Sequence, residues 1–143
     1  VDKNGRSSRF VKFYWYVCEG LVLGLFLRKH LTTMKVHLIK EKTICLFSIN
    51  HTNCYFPLED WVDKIRNADW EKPDDILFTF PSCDLLGNGS SRVIFNIKGN
   101  QFRLIGKYGF GLHQVHLFIC WIGSHADYSK LCAKGLQYTI STY

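Results

Sequence analysis

An α+β fold with an antiparallel sheet is the architecture this sequence predicts, and three stretches carry the prediction. PLEDWVDKIRNADW sets Leu58, Trp61, Val62 and Ile65 at i, i+3, i+4 and i+7, with acids early and Lys64 and Arg66 late. That is the pattern of an amphipathic helix whose charges suit its dipole. RVIFNIKGNQFRLIGKY switches to period two on either side of Gly99-Asn100 and predicts a β-hairpin. QVHLFICWI, Gln114 to Ile122, is apolar on both faces and predicts a central strand.

Ahead of these lies a short strand, Lys35 to Ile39, in MKVHLIK. From Thr43 to Phe56 the sequence mixes β-branched, aromatic, Asn and His residues without a clean period, so no element is assigned there. Residues 71–91 carry Pro73, Pro81, Gly87 and Gly89 and read as an irregular connection. In the hairpin, glycine at the first turn position predicts a type II′ turn. A two-residue loop then pairs Lys98 with Gln101, Asn96 with Arg103, Ile94 with Ile105 and Arg92 with Lys107. Val93, Phe95, Ile97, Phe102 and Leu104 fall on one face, predicted as core. The opposite face is expected to display Arg92, Lys98, Arg103 and Lys107 around Asn96. Four cations on one sheet face repel one another unless an anion fills the space, so a phosphate-bearing ligand is the expected occupant.

Beyond the last strand, SHAD fits a capping box in which Ser124 starts a short helix and Asp127 reaches back. His125 then stands in the first turn and Tyr128 three residues on, along the same side, at the rim of the sheet. A helix N-terminus there also favours anions.

With 143 residues, 47% of them apolar and 15% aromatic, the chain has material for one sizeable core. The formal charge of +6 is uneven: residues 87–143 hold six Lys or Arg against Asp127 alone, behind an acidic middle third. A polyanionic partner suits that imbalance. The six cysteines form no C-x-x-C pair and are read as reduced thiols of a cytoplasmic protein. His113, His116, Cys120 and His125 lie close in sequence, but His113 and His116 have odd separation on a strand and point to opposite faces; no metal site is expected. The run from Arg9 to His30 is apolar between basic flanks, yet Lys12 and Glu19 interrupt it and its longest uncharged piece, Gly20 to Leu27, is far below the ~20 residues a membrane helix needs. No membrane association is expected. Met34, the one methionine, is followed directly by strand-like sequence, so residues 1–33 are expected to be an upstream extension and residues 34–143 the folded domain.

SRVIFNIKGNQFRLI followed by QVHLFICWIGSHADYSKLC, together with MKVHLIK, LEDWVDKIRNADWEKPDDI and DLLGNGS, resembles the HigB-type toxins of bacterial type II toxin-antitoxin systems, in the RelE/ParE superfamily. The resemblance covers nearly all of Met34 to Tyr143. It implies a small fold in which an antiparallel sheet packs against N-terminal helices. It implies ribosome-dependent cleavage of mRNA without a cofactor, and a helix-turn-helix, HigA-like antitoxin as partner. Carried over residue by residue, it makes Arg103 and Lys98 the phosphate stabilisers, His125 a proton donor or acceptor, and Tyr128 a stacking or proton-assisting group. Arg92, Asn96, Lys107 and Lys130 are expected to line the RNA path. The stretch from Cys45 to Phe56 departs from the family, being apolar where a charged amphipathic helix is expected. Two other functions suit the same residues: a ParE-like toxin that binds gyrase without cutting RNA, and an inactive toxin that only binds its antitoxin.

Overall fold

The computed structural model describes residues 33–143; the upstream extension expected over residues 1–33 falls, but for its last residue, outside the described residues. The compact unit Met34–Tyr143 runs β1 (Met34–Ile39), α1 (Glu41–Asn50), a single 3-10 turn (Thr52–Cys54), α2 (Tyr55–Arg66), β2 (Asp69–Trp70), α3 (Asp74–Thr79), β3 (Asp84–Leu86), β4 (Arg92–Ile97), β5 (Phe102–Phe110), β6 (Val115–Ser124), α4 (His125–Ala133) and a last 3-10 turn (Leu136–Tyr138). Six strands form one sheet in the order β2-β1-β6-β5-β4-β3. All pairings are antiparallel except β1 with β6. The parallel pair follows from the crossover: β1 leaves the sheet through α1 and α2, and the chain returns by the β3–β4–β5 meander. The α+β class expected from the sequence is the one observed.

α2 forms where the 3.6-residue period predicted it, burying Leu58, Trp61, Val62 and Ile65 against the sheet. At roughly 1.5–3 kcal/mol for each fully buried large apolar side chain, that stripe accounts for most of what holds α2 in place. Their partners are Val93, Phe95, Ile97, Phe102 and Leu104 of the hairpin together with Val36, Leu117 and Ile119, in one large core. α1 fills the stretch left unassigned. It buries only Ile44 and Ser48 and turns Leu46 and Ile49 outward, so its apolar residues lie around the cylinder and mask the period. The irregular connection proves to hold α3 and the edge strand β3; the Trp70 indole N–H donates to Thr79 Oγ1 at 2.9 Å and pins α3 against β2.

β6 lies between β1 and β5, central as predicted. A bulge opposite Ile105/Gly106 inserts Cys120 as an extra residue in β6. Ile119 and Ile122, three apart, consequently share the large core, while Cys120 and Trp121 both join a second, smaller one. That smaller core corrects the expectation of an open cationic face. Ile94, Ile105 and Cys120 are covered by Leu131 and Tyr128 of α4 and by Ile140 of the C-terminal tail.

Candidate functional site

The hairpin pairs Arg92 with Lys107, Ile94 with Ile105 and Asn96 with Arg103, the register read from the sequence. Its turn differs from the expected type II′. Gly99 and Asn100 have φ of 53° and 76°, both left-handed as in a type I′ turn, and Lys98 shares that conformation at φ 52°. The Gln101 N–H closes the turn on the Lys98 carbonyl at 3.2 Å, and the Gln101 carbonyl accepts from the His125 N–H at 2.9 Å. α4 therefore begins docked on the hairpin turn, with His125 at its first position.

Ser124 caps α4 by accepting from the Asp127 N–H at 3.1 Å, and its hydroxyl donates to Asp127 Oδ2 at 2.7 Å. The capping box is thus closed through the two side chains. The Ser124 hydroxyl, then Lys130, hold the Asp127 carboxyl below its ordinary range. Lys130 itself contacts Asp127 at 3.3 Å on the exposed side of the helix.

One turn into α4, Tyr128 lies back over β5. The Arg103 guanidinium carbon sits 5.8 Å from the Tyr128 ring centroid, a cation–π contact, and the Trp121 ring lies tilted beside the same Tyr128 ring with centroids 6.3 Å apart. Gly123, cross-strand from Arg103, makes room for this: a Cβ there would stand 2.5 Å from the Trp121 ring. Burial above all, then the Cys132 thiol, push the Tyr128 phenol up from its ordinary range, so it stays protonated at neutral pH.

Arg103 is 8% exposed and, among the described residues, donates only to the carbonyls of Asn100 at 3.3 Å and Phe102 at 3.5 Å. Among the described residues neither Arg103 nor Lys98 forms an ion pair. Arg92 is different. Its Nη1 donates to the carbonyl of Ile140 at 2.6 Å and reaches that of Gln137 at 3.4 Å, holding the C-terminal tail on the sheet. That engagement takes Arg92 out of the cationic face expected from the sequence.

Of the residues predicted for the site, Asn96, Lys98, Arg103, His125 and Tyr128 gather at the turn end of the hairpin. Lys107 is exposed at the far end, four residues or ~14 Å along β5. Sequence reading missed what covers the second face, because residues 134–143 show no periodic pattern; Arg92, expected to line the RNA path, donates to the carbonyls of this tail. Among the described residues no three His, Cys, Asp or Glu side chains converge as metal ligands, and no helix is long and apolar enough to cross a membrane.

No curated protein sequence matches this chain significantly. The family model of HigB_toxin, the RelE-like toxic component of a toxin-antitoxin system, matches residues 54–131, more than half the chain, and spans α2 to α4 with every residue gathered at the hairpin turn. The chain therefore belongs to the HigB toxin family, as the toxin of a toxin-antitoxin system whose partner is an antitoxin.

Proposed function

We propose that this toxin is an endoribonuclease that cuts mRNA on the ribosome through RNA's own 2′-hydroxyl. The observation that supports it most is the Arg103 guanidinium: nearly buried, stacked on Tyr128 and, among the described residues, bonded only to two carbonyls and matched by no carboxylate. A fixed, unneutralised guanidinium at the mouth of a site suits a phosphate, which it grips through two parallel N–H donors.

In the reaction the 2′-hydroxyl loses its proton as its oxygen attacks phosphorus. The P–O5′ bond breaks and the 5′-oxygen takes a proton, leaving a 2′,3′-cyclic phosphate and a 5′-hydroxyl. Arg103 and Lys98 stabilise the charge that builds on the phosphoryl oxygens. His125, exposed at the start of α4, moves a proton at the 2′- or 5′-oxygen, a contribution of about 10²–10⁴-fold. Tyr128, held protonated, can donate a hydrogen bond but not accept the hydroxyl proton; its ring also holds Arg103 in place. Lys107 and Lys130 meet the RNA backbone on either side. Such a small set of groups gains from a ribosome that presents the message in a fixed geometry. A ribosome-bound message is a cytoplasmic substrate, and the HigB relationship suggests a helix-turn-helix antitoxin.

Purified toxin added to ribosomes programmed with a defined message tests this. Cleavage should require the ribosome, fail when a 2′-deoxynucleotide replaces the residue at the cut, and fall at least 100-fold in Arg103→Ala. Translation arrest with an intact message would refute it, and arrest of gyrase instead would establish the non-cutting alternative.

A further inference from the structure

Cleavage through the 2′-hydroxyl needs two proton transfers on opposite sides of phosphorus, because the attacking and leaving oxygens stand in line. The groups named so far serve one of them. His125 is a single imidazole, and Tyr128, held protonated, accepts no proton.

A second imidazole comes to the same end of the sheet from the other side. His51 directly follows α1 and is exposed. Its ring lies flat on that of Phe47, with centroids 4.1 Å apart and planes within 9°, and edge-on to that of Phe102 at 5.8 Å. Phe102 ties it to the cluster. The Phe102 carbonyl accepts from Arg103, and Phe102 pairs with Ile97, the residue before Lys98, on one side and with Ser124, the residue before His125, on the other. The Cys54 thiol, which donates to the His51 carbonyl at 3.0 Å, feels the Lys98 charge. The Phe102 side chain faces α1 and that of Arg103 faces α4, so His51 and His125 reach this strand end from opposite faces of the sheet. The other described histidines lie elsewhere: His116, cross-strand from His37, is eight residues or ~26 Å along β6 from Ser124, and His113 is farther still.

Hydrogen bonding decides how His51 can act. Its Nδ1 lies 3.2 Å from the Phe47 carbonyl, which has no proton to give, so Nδ1 carries the hydrogen and donates it. In the neutral ring Nε2 is then the bare acceptor, and among the described residues nothing bonds to it. The stack on Phe47 fixes the direction of the ring.

We propose that His51 is the general base of the cleavage and His125 the general acid. As the O2′–P bond forms, the 2′-hydroxyl proton passes to His51 Nε2. As the P–O5′ bond breaks, a proton from the His125 imidazolium passes to the 5′-oxygen, and exchange with water restores both rings. The inference rests on the RNA-cleaving reading and divides its two proton transfers between two residues.

The test uses the full chain on programmed ribosomes and two messages, one ordinary and one with sulfur in place of the 5′-oxygen at the cut. A thiolate leaves without being protonated, so the sulfur message needs a base but no acid. His51→Phe keeps a ring for the stack and has no base; it should cut both messages at least about 100-fold more slowly than the wild type. His125→Ala should be slow on the ordinary message and cut the sulfur message at the wild-type rate. Free imidazole should restore part of the activity of His51→Ala, which a mere loss of fold would not allow. Cleavage by His51→Phe at the wild-type rate, its rescue by the sulfur message, or no restoration of His51→Ala by imidazole would overturn the proposal. With a wild type that cuts, any of these refutes only the role of His51; a wild type that cuts neither message refutes the nuclease reading and the proposal together.

Discussion

Arg92 and Arg103 stand on the same face of the same hairpin, and their surroundings give them different work. Arg92 donates to the tail carbonyls, and charged hydrogen bonds of this kind contribute about 1.5–3 kcal/mol. Arg92→Gln should lower the unfolding free energy by about 2 kcal/mol in urea titrations while leaving the salt dependence of RNA binding unchanged. A flatter salt slope in that variant would show that Arg92 meets phosphate after all. Ser124 serves the fold in a separable way, since Ser124→Ala removes the cap of α4 and should cost about 1 kcal/mol by the same titration. The pairing of Asn96 with Arg103 was legible because period two fixes register. The burial of both arginines was not, since what covers them is supplied by residues far along the chain.

At the scale of elements, the clearest sequence signals were those of α2 and the hairpin, whose apolar residues repeat on one face only. α1 stayed illegible because Leu46 and Ile49 point outward, and β6 concealed its bulge because a run apolar on both faces carries no register of its own. α4 is the element on which the site depends. It docks through Leu131 and Tyr128, so Leu131→Ala should cost about 2–4 kcal/mol and reduce cleavage even at temperatures where the protein stays folded. Unchanged cleavage there would mean that α4 does not position Arg103. The elements around the core also hold buried protons. Burial first, with Asp84 adding to it, pushes the Cys83 thiol up to about 11 from an ordinary 9.0, and burial raises Cys54, Tyr108 and Tyr128 in the same direction. The folded state then keeps protons that the unfolded state releases, so stability is complete below about pH 9 and falls as pH rises toward about 11. Denaturant midpoints at pH 8 and pH 10.5 check this; an equal or higher midpoint at the alkaline pH would contradict it.

Across the whole molecule, charge is uneven in a way that suits the proposed polyanion: three of the sheet's four Lys and Arg residues (Arg92, Arg103 and Lys107, against Lys35) come from residues 87–143, where Asp127 is the single acid and is paired with Lys130. Exposed cations act together through counterion release, so Lys107→Ala and Lys130→Ala should each flatten the slope of log K against log salt by about 0.7 for single-stranded RNA. The central claim is that the cluster at the hairpin turn cuts messages. The most direct measurement is genome-wide mapping of mRNA 5′ ends after brief induction of the toxin, beside Arg103→Ala and His125→Ala. New ends in frame within translated regions, lost in both variants while these remain folded, are the predicted result. Growth arrest without new ends, or new ends that persist in Arg103→Ala, would contradict it.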